Sequence, residues 1–239
     1  MSQFPHNAST SPELSQRKTF WLRFSPFLIL LLAAAVLWLK WDSLPERWVV
    51  DWGAGGVPNG WATRTPFSVF LPLLAGGFVC LLLEVLATAI IKHPRVGKGI
   101  NASPEAAAKM AAVTGEMVRM IAVGMALLFA ILAVALPLLT PQSPGLVIAS
   151  ALALTLIPAS IGIVRLKRTA HELKSRGLIK DLEGWNGIIY RNPSDPRLIV
   201  PRPFTHGYTF NFANPWAWPI LILLIAIPPL VVLVVAKLL

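Results

Sequence analysis

The sequence has little of what soluble proteins use to build disulfides, metal sites or acid-base centres. Only one of its 239 residues is cysteine, Cys80, so an intramolecular disulfide is excluded. Only 11 residues are acidic. The 4 histidines lie in different segments, without metal-ligand spacing to Cys80. No glycine-rich phosphate loop or metalloprotease helix is present. We therefore predict no metal, no cofactor and no enzymatic activity.

What the sequence has instead is apolar character. Hydrophobic residues make up 55% of the chain and charged residues 13%, with a formal net charge of +10. In a soluble protein this charge would suggest nucleic acid, but here the basic residues lie between long apolar runs. The composition therefore predicts an all-α integral membrane protein with five transmembrane helices and a small β-containing cytoplasmic loop. The predicted partner is the lipid bilayer, with no nucleic acid.

The apolar runs divide the chain into nine segments. We expect a span wherever a run reaches the length that crosses a bilayer. The prediction is a disordered tail at 1–19, spans at 20–41, 67–91, 117–139, 145–164 and 216–239, an outer patterned loop at 42–66, a cytoplasmic loop with a helix extension at 92–116, and a basic cytoplasmic loop with short strands at 165–215. Ser103, Pro104 and Glu105 predict the start of the third helix, because they suit the cap, first position and first turn.

Lysine and arginine indicate the orientation. Basic segments alternate with segments that have few or no basic residues, from the N-terminal tail to the loop at 165–215. Because cytoplasmic segments are enriched in lysine and arginine, this alternation predicts a cytoplasmic N-terminus and an external C-terminus. Five spans satisfy the alternation, and removing any one of them breaks it.

The outer loop at 42–66 carries glycines, prolines and tryptophans in a pattern. Residues 48–52 predict a short extended segment, and Pro58-Asn59-Gly60 predicts a turn. Two interpretations remain open. The loop is a turn held at the membrane interface by its tryptophans, or it is a small exported recognition element. In the second case the candidate ligand-binding residues are Asp51, Trp52, Asn59 and Trp61.

The same residues resemble a known family. The pattern Leu44-Pro45, Val50-Asp51-Trp52, Gly56, Pro58-Asn59-Gly60-Trp61 and Arg64 looks like the first-loop domain of the SdpI-like bacterial membrane proteins, a domain of unknown function. Asp51 stands where the family usually has histidine, and Arg64 where it often has lysine. The name-giving member protects its producer from a secreted toxic protein and relays the toxin's presence to a repressor. The resemblance implies a multi-pass protein of the bacterial cell (inner) membrane with an immunity or signalling role.

The loop at 185–212 is similar to a second bacterial domain, which often accompanies the first. The similarity rests on a Tyr-x-Asn-Pro-x-Asp-Pro motif starting at Tyr190. Short strands are predicted at 187–191, 198–200 and 208–212, with Tyr190, Phe210 and Phe212 covering the interfacial end of the helices. The alternative is a basic loop held on anionic lipid by charge. The candidate partner-binding residues are Tyr190, Asn192, Asp195, Arg197, Arg202 and Asn211.

Glu84 is the one acid inside an apolar run. A buried acid at membrane depth is costly, so it is a candidate for function. It could stay protonated, pair with Arg119, or form a structural hydrogen bond to a neighbouring helix.

Two functional hypotheses follow. The first is a non-enzymatic receptor, immunity or signal-relay protein with an extracytoplasmic peptide or protein ligand and a cytoplasmic regulator. The second is a small transporter or membrane enzyme that uses Glu84 to handle protons. Homo-oligomerisation is open under both hypotheses.

Overall fold

A computed structural model describes residues 12–53, 56–96, 101–139, 145–180, 183–186, 189–204 and 207–223. The chain divides into two compact units. The first comprises Met1–Ala89 and Thr114–Gly162, and the second comprises Ile90–Val113 and Ile163–Leu239. The described part is mostly helical, and four of its helices are long and apolar enough to cross a membrane. This supports a multi-pass membrane protein. The predicted fifth span begins helically at 217–223, and its remainder lies outside the described residues.

The long helices include the first four predicted spans. They are α1, Pro12–Leu39; α2, Pro66–Lys92; α3, Pro104–Leu139; and α4, Gly145–Ser175. The prediction of disorder through residue 19 is wrong for residues 12–19, since Pro12 opens α1 with a backbone angle suited to the first helical position. The earlier part of that tail lies outside the described residues.

Local sequence signals explain where two of these helices start. Thr65 caps α2 with a reciprocal pair of hydrogen bonds: Ser68 N donates to Thr65 Oγ1, and Thr65 N donates to Ser68 Oγ, both at 3.2 Å. Ser103 Oγ accepts a 3.1 Å hydrogen bond from Ala106 N, which confirms the predicted cap of α3. At its other end α3 continues through Pro137 to Leu139, the predicted end of the third span.

Between α1 and α2 the first unit forms an antiparallel hairpin of β1, Arg47–Trp52, and β2, Pro58–Thr63. The extended segment predicted at 48–52 is confirmed. The turn predicted at Pro58-Asn59-Gly60 is wrong, because these residues begin β2. The chain reverses just before them, where Gly53 N donates to Val57 O at 2.8 Å. Gly60 instead allows β1 and β2 to approach each other closely, because a Cβ at this position would lie 2.8 Å from Asp51 Cβ.

Glycines let the helices of the first unit approach each other closely. A Cβ added at Gly76 would lie 2.7 Å from Phe129 Cβ, and one at Gly124 would lie 2.1 Å from the carbonyl oxygen of Leu154. Such contacts suit membrane helices, which associate through close packing of small residues. The buried core beside them comprises Leu30, Ala33, Leu37, Leu44, Trp48, Val69, Leu73, Cys80, Ala126 and Ala133.

The second unit is built from short strands and helix ends. The strand pairs are β3, Asn101–Ala102, with β4, Ile179–Lys180; β5, Trp185–Asn186, with β6, Ile189–Tyr190; and β7, Ile199–Pro201, with β8, Tyr208–Phe210. The three predicted strand regions are therefore present, but as pairs rather than one sheet. A parallel bridge between Tyr190 and Asn211 links β6 to the end of β8. The β3–β4 pair was not predicted.

The core of the second unit comprises Ala106, Met110, Leu166, Leu173, Ile179 and Phe204. The first part of the predicted basic loop, up to Ser175, is the continuation of α4, and this helix supplies the surface that the loop was expected to need. The buried aromatic side chains of the loop are Tyr190 and Phe204. Phe210 and Phe212 are half-buried, so of the three aromatic residues expected to cover the helices only Tyr190 is buried, and its ring lies against Trp185.

Candidate functional site

One face of the β1–β2 hairpin is anchored in the first unit. Trp48 is 4% exposed, and it lies with Leu44 in the core formed by α1, α2 and α3. Side chains alternate across a strand, so position 48 points inward while its neighbours do not. The prediction that the loop tryptophans lie at the membrane interface is therefore wrong for Trp48, and the loop is a folded hairpin on a helical base.

Arg64 fixes the base of this hairpin. Its Nη1 lies within hydrogen-bonding distance of the carbonyl oxygens of Leu44 (3.0 Å) and Trp41 (3.2 Å), and its backbone N donates to Glu46 O at 2.8 Å. These carbonyls lie in the turn between α1 and β1, so the Arg64 side chain ties this turn to the end of β2. The sequence had marked Arg64 only as part of a resemblance, and its contacts now assign it a structural role.

The exposed positions of the hairpin include three of the predicted binding residues. Asp51, Asn59 and Trp61 are exposed, and Asn59 and Trp61 share one face of β2 because they are two residues apart. Trp52 is half-buried, and its indole Nε1 is shielded from solvent and has no hydrogen-bond partner in the described part of the chain. These side chains lie on one small element, as predicted, and their arrangement offers an aromatic surface with polar neighbours.

A second polar cluster lies among the helices of the first unit. Arg119 Nε donates to Glu84 Oε2 at 2.8 Å and Arg119 Nη2 donates to Oε1 at 2.9 Å. Thr88 Oγ1 donates to Oε1 at 2.9 Å, and Arg23 Nε of α1 lies 3.0 Å from the same oxygen. Of the possibilities left open for Glu84, the structure shows the pairing with Arg119. The participation of Arg23 was missed, because the sequence counted that residue only as a flanking charge.

This arrangement holds Glu84 as a carboxylate among donors. The two-pronged contact from Arg119 matches the geometry in which guanidinium and carboxylate groups bind most strongly. Arg119 is only 5% exposed, so its charge depends on Glu84 for compensation. Two guanidinium groups share this one carboxylate, and the set of three side chains keeps one positive charge.

Asn211 organises the loop of the second unit. It is 0% exposed. Its Oδ1 accepts hydrogen bonds from the backbone N of Asn192 (3.0 Å) and Ala213 (3.1 Å), and its Nδ2 donates to the backbone O of Asn192 (2.9 Å) and Asp195 (2.8 Å). These four bonds use the whole capacity of a side-chain amide. Asn211 was predicted to bind a partner, but all of its side-chain hydrogen bonds are made within the loop.

Asp195 is the second organising residue of this loop. Its Oδ2 accepts from Tyr190 Oη at 2.8 Å and from Arg197 Nη2 at 2.6 Å, and its Oδ1 accepts from Arg197 N at 3.0 Å. The Arg197 guanidinium, with help from the Tyr190 hydroxyl, holds the pKa of Asp195 well below its usual range. Burial and the hydrogen bond to Asp195 raise the pKa of Tyr190.

The structure thus brings together five of the six candidate residues of the second unit, namely Tyr190, Asn192, Asp195, Arg197 and Asn211. Asn192 Oδ1 accepts from Ser194 N at 2.9 Å, which closes a local turn after β6. Arg202 lies apart from the cluster: its side chain is exposed, and its backbone N donates to Gly207 O at 3.1 Å. The Tyr-x-Asn-Pro-x-Asp-Pro motif therefore specifies a compact loop, and Arg191, Arg197 and Arg202 are exposed on it.

Among the described residues, no group of three or more histidine, cysteine, aspartate or glutamate side chains is placed to hold a metal ion. Three groups of polar side chains in the described part of the chain bear on function: the hairpin surface, the Arg23–Glu84–Arg119 cluster and the exposed arginines of the second unit.

The comparisons with known proteins match the two patterned stretches. Residues 28–76 match a domain of unknown function (DUF1648), and residues 193–218 match a family of unknown function (DUF5808). The first match includes the end of α1, the hairpin and the start of α2. The second includes the loop organised by Asn211. No curated protein and no solved structure matches the chain. Both stretches are thus similar to domains whose function is not known, and the link to SdpI-like proteins stays a prediction.

Proposed function

We propose that the protein is a non-enzymatic membrane receptor or signal-relay protein that binds an extracytoplasmic peptide or protein through its β1–β2 hairpin. The observation that carries this proposal is the two-sided character of the hairpin. Trp48 and Leu44 anchor one side in the helical core, while Trp61 and Asn59 remain exposed on the other. An exposed aromatic residue on a rigid support is typical of protein-binding surfaces.

The proposal includes five spans, a cytoplasmic N-terminus and an external C-terminus in a bacterial inner membrane. The alternation of basic segments supports this orientation. It is tested with reporter fusions, which should be external after Trp52 and Gln142 and cytoplasmic after Ser103 and Ser194. A cytoplasmic reporter at Trp52 would overturn the orientation, because that of every later segment depends on it.

In this topology the loop of the second unit faces the cytoplasm, where its exposed Arg197 and Arg202 suit an acidic regulator. The internal hydrogen bonds of Asn211 and Asp195 support a fixed surface rather than a loosely charged loop. The resemblance to SdpI-like proteins supports immunity against a secreted toxic protein as the biological setting.

Site-specific photocrosslinking in intact cells tests ligand binding. A crosslinker at Trp61 should capture a protein or peptide, whereas one at Trp38, an exposed residue of the apolar α1 segment, should not. Asn59→Ala should weaken capture at position 61, because the two side chains share one face of β2. Equal protein capture at positions 38 and 61, or none at position 61 with the candidate toxin present, would contradict the proposal.

The geometry disfavours the transporter hypothesis. Glu84 is held by Arg119, Arg23 and Thr88, and all three contacts favour its charged form. A proton carrier must change its protonation during each cycle. We expect the folded Glu84→Gln protein in vesicles to show the same proton flux as the wild type. A flux that is present in the wild type and lost in this variant would restore the transporter hypothesis.

A further inference from the structure

An apolar groove lies on the first unit between α1, α3 and α4. Its volume is about 280 Å³, and Leu22, Met120, Gly124, Leu127, Leu154 and Pro158 are among the residues that line it. Ile157 and Ile161, which also line it, are exposed, so the groove opens to the surroundings of the unit. From Met120 to Leu127 it extends ~10 Å along α3 by helical rise. An elongated apolar group therefore fits it better than a polar ligand.

The groove exists because of two residues that interrupt regular packing. Gly124 has no side chain to fill the space beside Leu154, and Pro158 Cγ would lie 3.3 Å from a Cβ at position 124. Pro158 also lacks the backbone N–H that would bond to the carbonyl of Leu154. The two helices therefore touch at their backbones near Gly124, and the side chains around that contact leave a furrow.

In both α1 and α3, an arginine is the sequence neighbour of a residue that lines the groove. Leu22 precedes Arg23 in α1, and Met120 follows Arg119 in α3. Arg119 is buried against Glu84, whereas the side chain of Arg23 is 50% exposed. Arg23 is therefore the guanidinium that an outside anion can reach, and the cluster keeps one positive charge for it.

Exposed aromatic residues indicate the depth of this charge in a bilayer. Phe20, Trp21 and Phe24 surround Arg23 in sequence and are all exposed, and the Arg23 guanidinium lies 5.7 Å from the centre of the Phe24 ring. Tryptophan is enriched at the membrane–water interface, so Trp21 favours headgroup level for this part of α1. Arg23 is then near headgroup level, next in sequence to the groove-lining Leu22.

We propose that the groove binds one acyl chain of an anionic membrane phospholipid, with the phosphate held by Arg23. The apolar lining suits the chain and the residual positive charge suits the headgroup. A free phosphate would meet the charge but leave the groove empty, and a zwitterionic lipid would fill the groove with less attraction to Arg23. The site is independent of the hairpin and of any receptor function.

Native mass spectrometry of the purified full-length protein tests this site. The probes are phosphatidylglycerol and phosphatidylcholine with identical acyl chains, and inorganic phosphate. The wild type should bind one phosphatidylglycerol about fivefold more tightly than phosphatidylcholine, the scale expected for one basic side chain near an anionic lipid. Arg23→Gln should remove this preference. Its fold should survive, because Arg119 keeps its two contacts with Glu84.

Two further variants separate charge from shape. Arg95→Gln removes an exposed arginine that does not line the groove, so its lipid binding should equal that of the wild type. Ala153→Phe places a ring in the groove at an exposed lining position and should weaken binding of both lipids. Equal binding of the two lipids by the wild type, an Arg95→Gln effect as large as that of Arg23→Gln, unchanged binding by Ala153→Phe, or equally tight binding of inorganic phosphate would each overturn the proposal.

Discussion

Arg119 binds Glu84 through two parallel hydrogen bonds, 2.8 Å from Nε to Oε2 and 2.9 Å from Nη2 to Oε1. The two residues are on α3 and α2, and Arg119 is nearly inaccessible to solvent. Each charge therefore compensates the other in the buried site, and the pair fixes the alignment of α2 and α3.

The first prediction concerns this pair. Glu84→Gln should lower the free energy of unfolding by about 3 kcal/mol, because it leaves the buried Arg119 without its counter-charge. Replacing both residues by methionine should recover most of the loss. Denaturant titration of the purified protein in mixed micelles measures the change. Glu172→Gln is the matched control, since its pair with Lys109 is exposed and its loss should change the free energy of unfolding far less. Equal effects at the two positions would contradict the prediction.

The second prediction concerns Asn211. Asn211→Asp keeps the shape but cannot donate to the backbone oxygens of Asn192 and Asp195, which both lie within 2.9 Å of its Nδ2. We expect a loss of at least about 2 kcal/mol, since unsatisfied buried groups cost ~1–3 kcal/mol each. The measurement is the rate of protease cutting between residues 185 and 215 in inside-out vesicles. The protease should cut the control variant Asn186→Asp, which is changed at an exposed position, at the wild-type rate. Rapid cutting of the wild type itself would show that the loop is not folded.

The third prediction is a dependence of this loop on pH. The folded state lowers the pKa of Asp195 from its ordinary value of 3.8, mainly through the hydrogen bonds from Arg197. Because the pKa is lower in the folded state, ionised Asp195 stabilises the folded loop at pH values above the pKa of the unfolded chain. This stabilisation is lost as the pH falls below about 4. Protease protection of the loop should therefore decrease on acidification, measured with an acid-active protease. Asp195→Asn should show weaker protection at neutral pH and little further change. An identical acid response in both proteins would exclude Asp195 as its source.

The fourth prediction concerns the contact between α3 and α4. Gly124→Ala should destabilise the first unit by about 1–3 kcal/mol, since the added Cβ would lie 2.1 Å from a backbone oxygen that can move only with its helix. Gly77→Ala is the control, because a Cβ at that position meets nothing within 4 Å. Thermal unfolding followed by helical circular dichroism measures both variants. A Gly124→Ala protein as stable as the Gly77→Ala protein would contradict the close contact.

The local features of this protein could be predicted from its sequence. The locations of the first four apolar runs correspond to α1 to α4, because a run of about twenty apolar residues favours a helix long enough to cross a bilayer. The cap at Ser103 was predictable because its hydrogen bond reaches only three residues along the chain. The Glu84–Arg119 pair was predictable because few charged residues occur in apolar runs, so each has few alternatives as a partner.

The tertiary structure alone decided which polar residues serve the fold and which remain free. Asn211 bonds to groups 16 and 19 residues away, and a motif does not show whether its side chains face a ligand or one another. Trp48 and Trp61 look alike in sequence, yet one is buried and the other exposed, since the register of the hairpin assigns each to a face. The contact between Arg23 and Glu84 depends on the packing of α1 against α2, which the sequence does not show. Apolar composition determines that helices form and are buried in lipid, but the pairing of their polar groups depends on distances that only the folded chain provides.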